Sequence, residues 1–165
     1  MDLNKAMQKN ILISEENKID DFGSEVLNEI VNKLKKTKDH RKKYEYVLWL
    51  AKKIPLLSED QFNETLKVKG CISNVYVSGK LIEGRLSWQG YSDALITKGL
   101  LSLLIKGLNN LRPEEVLEID PRFIEETGLR GSLTPSRANG FLNILLAMKA
   151  QANFLSGNIP KTPAT

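Results

Sequence analysis

Val75-Tyr76-Val77-Ser78-Gly79-Lys80-Leu81-Ile82-Glu83-Gly84-Arg85-Leu86-Ser87-Trp88 has an apolar period of two in a chain whose other periodic segments are helical. Val75 and Val77 alternate with Asn74 and Tyr76. Ile82, Leu86 and Trp88 then alternate with Glu83, Arg85 and Ser87, as in a half-buried antiparallel strand. Ser78-Gly79-Lys80 lies between the two runs and reads as a hairpin turn.

Helical spacing frames this hairpin on both sides. Val26, Leu27, Ile30, Val31 and Leu34 form one stripe, with Lys33, Lys35 and Lys36 outside it. Tyr44, Val47, Leu48 and Ala51 form a second stripe, opposed by Lys42, Lys43, Lys52 and Lys53, and Pro55 ends that helix. After the hairpin, Ala94 to Leu108 is apolar almost all round, leaving only Lys98, Ser102 and Lys106 as a polar stripe. A helix of that kind must be covered on most sides, so it is expected at the centre. Pro113-Glu114-Glu115 suits a first helical turn, where proline needs no partner and carboxylates meet the positive dipole end. Thr134-Pro135 repeats the N-cap and first-turn pattern ahead of a helix carrying Phe141, Ile144, Leu145, Met148 and Ala152 on one face. The order predicts an α+β fold, a small antiparallel sheet packed against and flanked by helices.

At 165 residues the chain suits one domain, expected over residues 21–156. Residues 1–20 read as a flexible N-terminal extension and 157–165 as a tail. The extension lacks a signal peptide's long apolar stretch, and its acidic residues argue against a transit peptide. No apolar stretch is long enough to span a membrane. The net charge of +4 is too mild to commit the chain to nucleic acid.

There is one cysteine, Cys71, and this excludes an internal disulfide and a multi-cysteine metal site. A reducing, cytoplasmic compartment suits it. On local grounds two readings stand together. A lone cysteine is often a small buried hydrophobe. Against that, Gly70 permits a turn, Lys67 and Lys69 would stabilise a thiolate, and Ser73 offers a hydrogen bond. In Tyr91-Ser92-Asp93-Ala94, Ser92 or Asp93 reads as an N-cap. In Leu133-Thr134-Pro135-Ser136-Arg137-Ala138-Asn139-Gly140, Arg137 puts a cation in a first turn, against the dipole. It is either a tolerated surface residue or one held for a distant anionic partner. His40 stands alone and is given no metal or catalytic role. Lys33 to Lys43 reads as a solvated helix surface, with Tyr44, Tyr46 and Trp49 at core-helix spacing.

Three segments, in order, resemble the SufE family. Lys69-Gly70-Cys71-Ile72-Ser73-Asn74-Val75-Tyr76 is similar to its Gly-Cys-x-Ser-x-Val-aromatic signature. Ser92-Asp93-Ala94-Leu95-Ile96-Thr97-Lys98-Gly99-Leu100 resembles its Ser-Asp-Ala helix start and Lys-Gly-Leu. Leu133 to Arg137 resembles its Leu-Ser/Thr-Pro-Ser-Arg segment. The likeness spans roughly residues 22–152, with Tyr76 where the family usually has Trp and Ile72 where Gln is common.

The resemblance implies a SufE-like fold related to the IscU-type scaffold fold. It also implies a sulfur acceptor that stimulates a SufS-type cysteine desulfurase and passes sulfur on for iron–sulfur cluster assembly by a SufBCD-type scaffold complex. Cys71 becomes the persulfide-forming nucleophile, with Gly70, Ser73, Asp93 and Arg137 supporting it or meeting the partner. PLP belongs to the desulfurase, so no cofactor is expected on this chain, and no free-standing turnover; the single cysteine, mild charge and short apolar stretches likewise lead to no metal, nucleic acid or membrane being expected. The alternatives are a basic nucleic-acid-binding module and a single-cysteine redox enzyme; the latter lacks a resolving thiol.

Overall fold

The computed structural model describes residues 20–157. The expected extension and tail lie, except for Asp20 and Gly157, outside the described residues. The elements run α1 (Glu25–Lys36), α2 (His40–Ala51), β1 (Val75–Ile82), β2 (Arg85–Ser92), α3 (Leu95–Leu108), α4 (Pro113–Leu117), α5 (Phe123–Glu126) and α6 (Pro135–Leu155). Strands β1 and β2 form a two-stranded antiparallel sheet. The fold is α+β, and α3 lies at its centre, packed against α1, α2, β2 and α6.

The central helix follows from its composition. From Ile96 to Leu108 only Lys98 and Lys106 escape full burial; Ser102, expected on the polar stripe, is buried with the rest. Two glycines let neighbours approach closely. A methyl on Gly99 would overlap the backbone carbonyl of Val47 in α2, and one on Gly107 would press on Leu27 in α1. Ser24 ties α1 to the same helix: its hydroxyl caps Leu27 N and donates to the Gly107 carbonyl at 2.6 Å.

The hairpin differs from the expectation at its turn. Ser78, Gly79 and Lys80 are strand residues, paired with Gln89, Trp88 and Ser87, and the chain reverses at Glu83-Gly84. Both turn residues have positive φ, +50° and +79°, as a two-residue loop following the strand twist requires. Gly79 has a packing role instead: a Cβ there would sit 2.7 Å from the Trp88 ring. Its outer edge is closed by α6, where the Gln151 side chain accepts from Gly79 N at 2.9 Å and donates to the Val77 carbonyl at 2.7 Å.

The second departure is Lys43, placed by periodicity on the wet face of α2. It is buried, and its ammonium donates to the Thr127 carbonyl at 2.8 Å. Gly128 leaves room for it, since a side chain there would collide with Nζ. Burial, aided by Lys38, pushes the ammonium's pKa down. A long aliphatic stem with one polar tip can occupy a core-facing position when a carbonyl waits at its end.

Gly99→Ala should be destabilising although alanine is the better helix former. The propensity gain of about 1 kcal/mol is outweighed by overpacking against backbone, which typically costs about 1–3 kcal/mol and here cannot relax by a rotamer change. Chemical denaturation of the two proteins checks this; equal midpoints would show that α2 and α3 do not pack as closely as described.

Candidate functional site

Cys71 sits in a loop pinned at both ends. Before it, Leu66–Val68 runs antiparallel to the start of β1: Val68 N donates to the Val75 carbonyl at 2.8 Å and Val77 N to the Leu66 carbonyl at 3.0 Å. Residues 69–74 are the connection between these paired segments. Val68 and Val75, both buried, anchor its two feet in the core.

Two amide side chains hold the loop from opposite sides. Asn74 donates from its backbone N to Asp93 Oδ1 at 2.9 Å and from Nδ2 to Oδ2 at 3.1 Å, while Asp93 N donates back to the Asn74 carbonyl at 3.2 Å. Asp93 therefore does not cap α3, whose N-cap is Ala94. The Ser92 hydroxyl accepts from Ala94 N at 3.2 Å, too early in the chain to cap the helix. The Asp93 carboxylate serves the loop because Asn74 continues β1 directly opposite Asp93, beyond the last paired residues, Val75 and Ser92. On the other side, Asn143 of α6 donates to the Gly70 carbonyl at 3.1 Å. Gly70 has φ +80°, and a Cβ there would lie 2.6 Å from Asn143 Nδ2, so both its backbone angle and its contact call for glycine.

The thiol faces a cleft of about 460 Å³. Cys71, Ser73 and Arg137 line it together with Thr97, Thr134 and Gly140. The cysteine is half-buried, and its Sγ donates to the Gly140 carbonyl at 3.8 Å. A methyl on Gly140 would stand 3.6 Å from Sγ, already in contact, so glycine keeps open the space beside the sulfur. Arg137 reaches the cleft because Thr134 caps α6, accepting from Arg137 N, and Pro135 occupies the first turn. Its guanidinium lies 3.4 Å from the Tyr44 hydroxyl. No carboxylate pairs with it among the described residues.

Of the five residues singled out in the sequence, Cys71, Ser73 and Arg137 share the cleft, while Gly70 and Asp93 stand behind the loop as supports. The expected thiolate stabilisation is not there. Burial pushes the Cys71 thiol up, and neither Lys67 nor Lys69 counters it. Sequence reading missed Asn143, Thr97 and Gly140. The Gly140-Asn143 spacing puts two contacts with the loop one turn apart on α6, but nothing local marks a residue whose partner is 73 positions away.

Residues 28–152 match the family described as SufE, an Fe-S metabolism associated domain. The chain belongs to the SufE family. It is 48% identical over 126 residues to an uncharacterised SufE-like protein of Synechocystis sp., covering 76% of this chain and 79% of that one. It is 39% identical over 127 residues to the cysteine desulfuration protein SufE of Plasmodium vivax, covering 73% of this chain but only 49% of that relative. The fold is similar to the solution structure of a hypothetical protein from Thermus thermophilus, with a TM-score of 0.71 and 25% identity over 81% of this chain and 98% of that one. In this SufE domain the matched region takes in the loop, its Asp93 and Asn143 supports, and the cleft.

A raised thiol pKa predicts sluggish chemistry at rest. The thiolate should appear only as pH climbs beyond the ordinary thiol value of about 8.5, so iodoacetamide should alkylate native Cys71 with a higher midpoint than the unfolded chain. Asp93→Ala, which frees the loop, should speed alkylation several-fold and bring the two midpoints together. A native midpoint at or below the unfolded one would mean that a cation stabilises the thiolate after all.

Proposed function

We propose that this chain is a sulfur carrier: it takes sulfur from a PLP-dependent, SufS-type cysteine desulfurase onto Cys71 and delivers it for iron–sulfur cluster assembly. The observation that carries the reading is a lone, half-buried thiol on a loop held by side-chain hydrogen bonds, beside an open cleft, in a SufE domain. The related Plasmodium vivax protein is named for cysteine desulfuration, which supports the same chemistry here.

The step is thiol–disulfide exchange with a persulfide as donor. The Cys71 thiolate attacks the outer sulfur of the desulfurase's cysteine persulfide, that enzyme's S–S bond breaks, and its thiolate departs. Cys71 becomes the persulfide and no net oxidation occurs. The nucleophile must be a thiolate, yet burial favours the protonated thiol. Loop release and thiol ionisation are therefore linked: Cys71 ionises when it leaves the Gly140 carbonyl for the partner's active site. Arg137, which lines the cleft with no carboxylate among the described residues, favours anionic sulfur there. Back in the cleft, a half-buried sulfur is less open to reductants and oxidants than on the released loop. With no second thiol in the chain, the persulfide cannot collapse into an internal disulfide.

A SufBCD-type scaffold is the proposed recipient, and PLP stays with the desulfurase. A reducing, cytoplasm-like compartment suits the single thiol. Among the described residues no helix is long and apolar enough to cross a membrane. The nucleic-acid alternative finds little support in the basic face. Lys43 is buried, and Lys33 lies 4.5 Å over the Tyr46 ring, so the ring face is not open for a base.

Incubation with a PLP desulfurase and L-cysteine should place a reducible one-sulfur adduct on Cys71, read by intact-protein mass spectrometry, and Cys71→Ser should abolish it. The absence of any adduct in a pair shown to bind would overturn the carrier mechanism. Arg137→Ala should slow loading about 10-fold, the loss of one charge-assisted contact of roughly 1.4 kcal/mol; unchanged loading would remove Arg137 from the mechanism.

A further inference from the structure

Away from Cys71, side chains from three helices meet in a patch of stacked rings and cations. Tyr46 and Trp49 of α2 stack with centroids 5.9 Å apart and planes 19° from parallel. Lys33 of α1 stands 4.5 Å over the Tyr46 ring; Lys53, just past α2, and Lys106 of α3 stand 5.5 and 5.9 Å over Trp49. All three lysines are exposed, and none forms an ion pair among the described residues. Lys33 and Lys106 lie in the last turns of their helices, where the dipole favours a cation. That accounts for two charges taken singly. It does not account for Trp49, which leaves 45% of its surface in water beside two ammoniums. Tryptophan is among the side chains most enriched at the energetic centres of protein interfaces. The ring faces are engaged by each other and by ammoniums, so a nucleic-acid base finds no open platform. What the patch turns outward is ammonium donors and uncovered indole. Stacking and cation–π contacts hold these groups in place, which leaves less side-chain freedom to lose on binding.

We propose that Lys33, Tyr46, Trp49, Lys53 and Lys106 form a docking site for an acidic polypeptide segment of another protein. Carboxylates of that segment meet the three ammoniums, and an apolar side chain between them covers the Trp49 indole. The site is separate from the cleft: Lys106 lies about 14 Å along α3 from the cleft-lining Thr97, at the helical rise per residue. The acidic partner therefore binds while Cys71 stays open to its own reaction. The inference goes beyond the carrier reading and does not depend on it, since it stands on charge complementarity and an exposed ring.

The probe is a fluorescein-labelled peptide alternating glutamate with leucine, titrated with the full chain and read by anisotropy. Labelled oligothymidine of equal charge is run beside it. The salt is held at about 0.15 M, where charges more than ~8 Å apart are largely screened. The peptide should bind more tightly than the oligothymidine. Because Trp88 is buried, a change in tryptophan emission with unlabelled peptide reports Trp49. Lys33→Gln/Lys53→Gln/Lys106→Gln should weaken peptide binding about 10-fold, and Trp49→Gln by a similar factor. Lys67→Gln/Lys69→Gln/Lys80→Gln removes the same charge from the side of the cysteine loop and hairpin, and should change it less than about twofold. Circular dichroism checks that each variant keeps the fold. Absence of peptide binding would overturn the site, as would equal losses in the two lysine triples, which would make the attraction diffuse. Tighter binding of oligothymidine through Lys33, Lys53 and Lys106 would overturn it in favour of nucleic acid. At saturating peptide, iodoacetamide should alkylate Cys71 within about twofold of the free rate; slower alkylation would overturn the separation of patch and cleft.

Discussion

Helix α3 can exist in water only if it is covered, and most of this structure is the covering. Eleven of its fourteen residues are buried, so no single neighbour can shield it. Helices α1 and α2, strand β2 and helix α6 each take a side. Close approach is built in through Gly99 and Gly107, where any Cβ would push α2 or α1 outward. The start of α3 borders the cleft beside Cys71: Ala94 and Thr97 line it. The cysteine loop is held at the mouth of the core because β2 delivers Asp93 immediately before α3 begins. Core and site are thus built together, the site being the place where the covering of α3 is left open.

The loop meets two opposed requirements through modest interactions. A carrier must hide its sulfur between encounters and surrender it during them. The restraints on the loop are exposed or partly exposed hydrogen bonds from Asn74 and Asn143, of the kind worth about 1 kcal/mol each. Bonds of that size hold a resting conformation without making release prohibitive. The thiol is restrained in the same measure. Burial keeps it protonated and quiet, and its polar partner among the described residues is a helix carbonyl at 3.8 Å. A lysine beside the sulfur would have made a permanently reactive thiolate, open to oxidation at all times.

The signals legible along the chain are those with short range. Periodicity locates the helices, the strands and the central position of α3, because side-chain burial repeats every few residues. The Thr134-Pro135 helix start is legible for the same reason. Pattern alone misplaces the hairpin turn at Ser78-Gly79-Lys80 because a glycine that serves a turn looks the same as one that lies under a tryptophan ring. It misplaces Lys43 because charge predicts exposure unless a distant carbonyl, here Thr127, satisfies the ammonium. Its neighbours in sequence make Asp93 look like a cap, whereas its true partner, Asn74, lies 19 residues earlier across the hairpin.

By itself the sequence determined the fold class, the position of the one thiol, and the family, because all three are written in local pattern and residue type. Only the tertiary structure decided the state of that residue. Whether Cys71 is reactive depends on its burial, on the Gly140 carbonyl, on Asn143 and Asp93 holding the loop, and on a cleft shared with Arg137. Those groups come from segments up to 73 residues apart. Desolvation and hydrogen bonding act through space over a few ångströms, and only folding brings such groups within that distance.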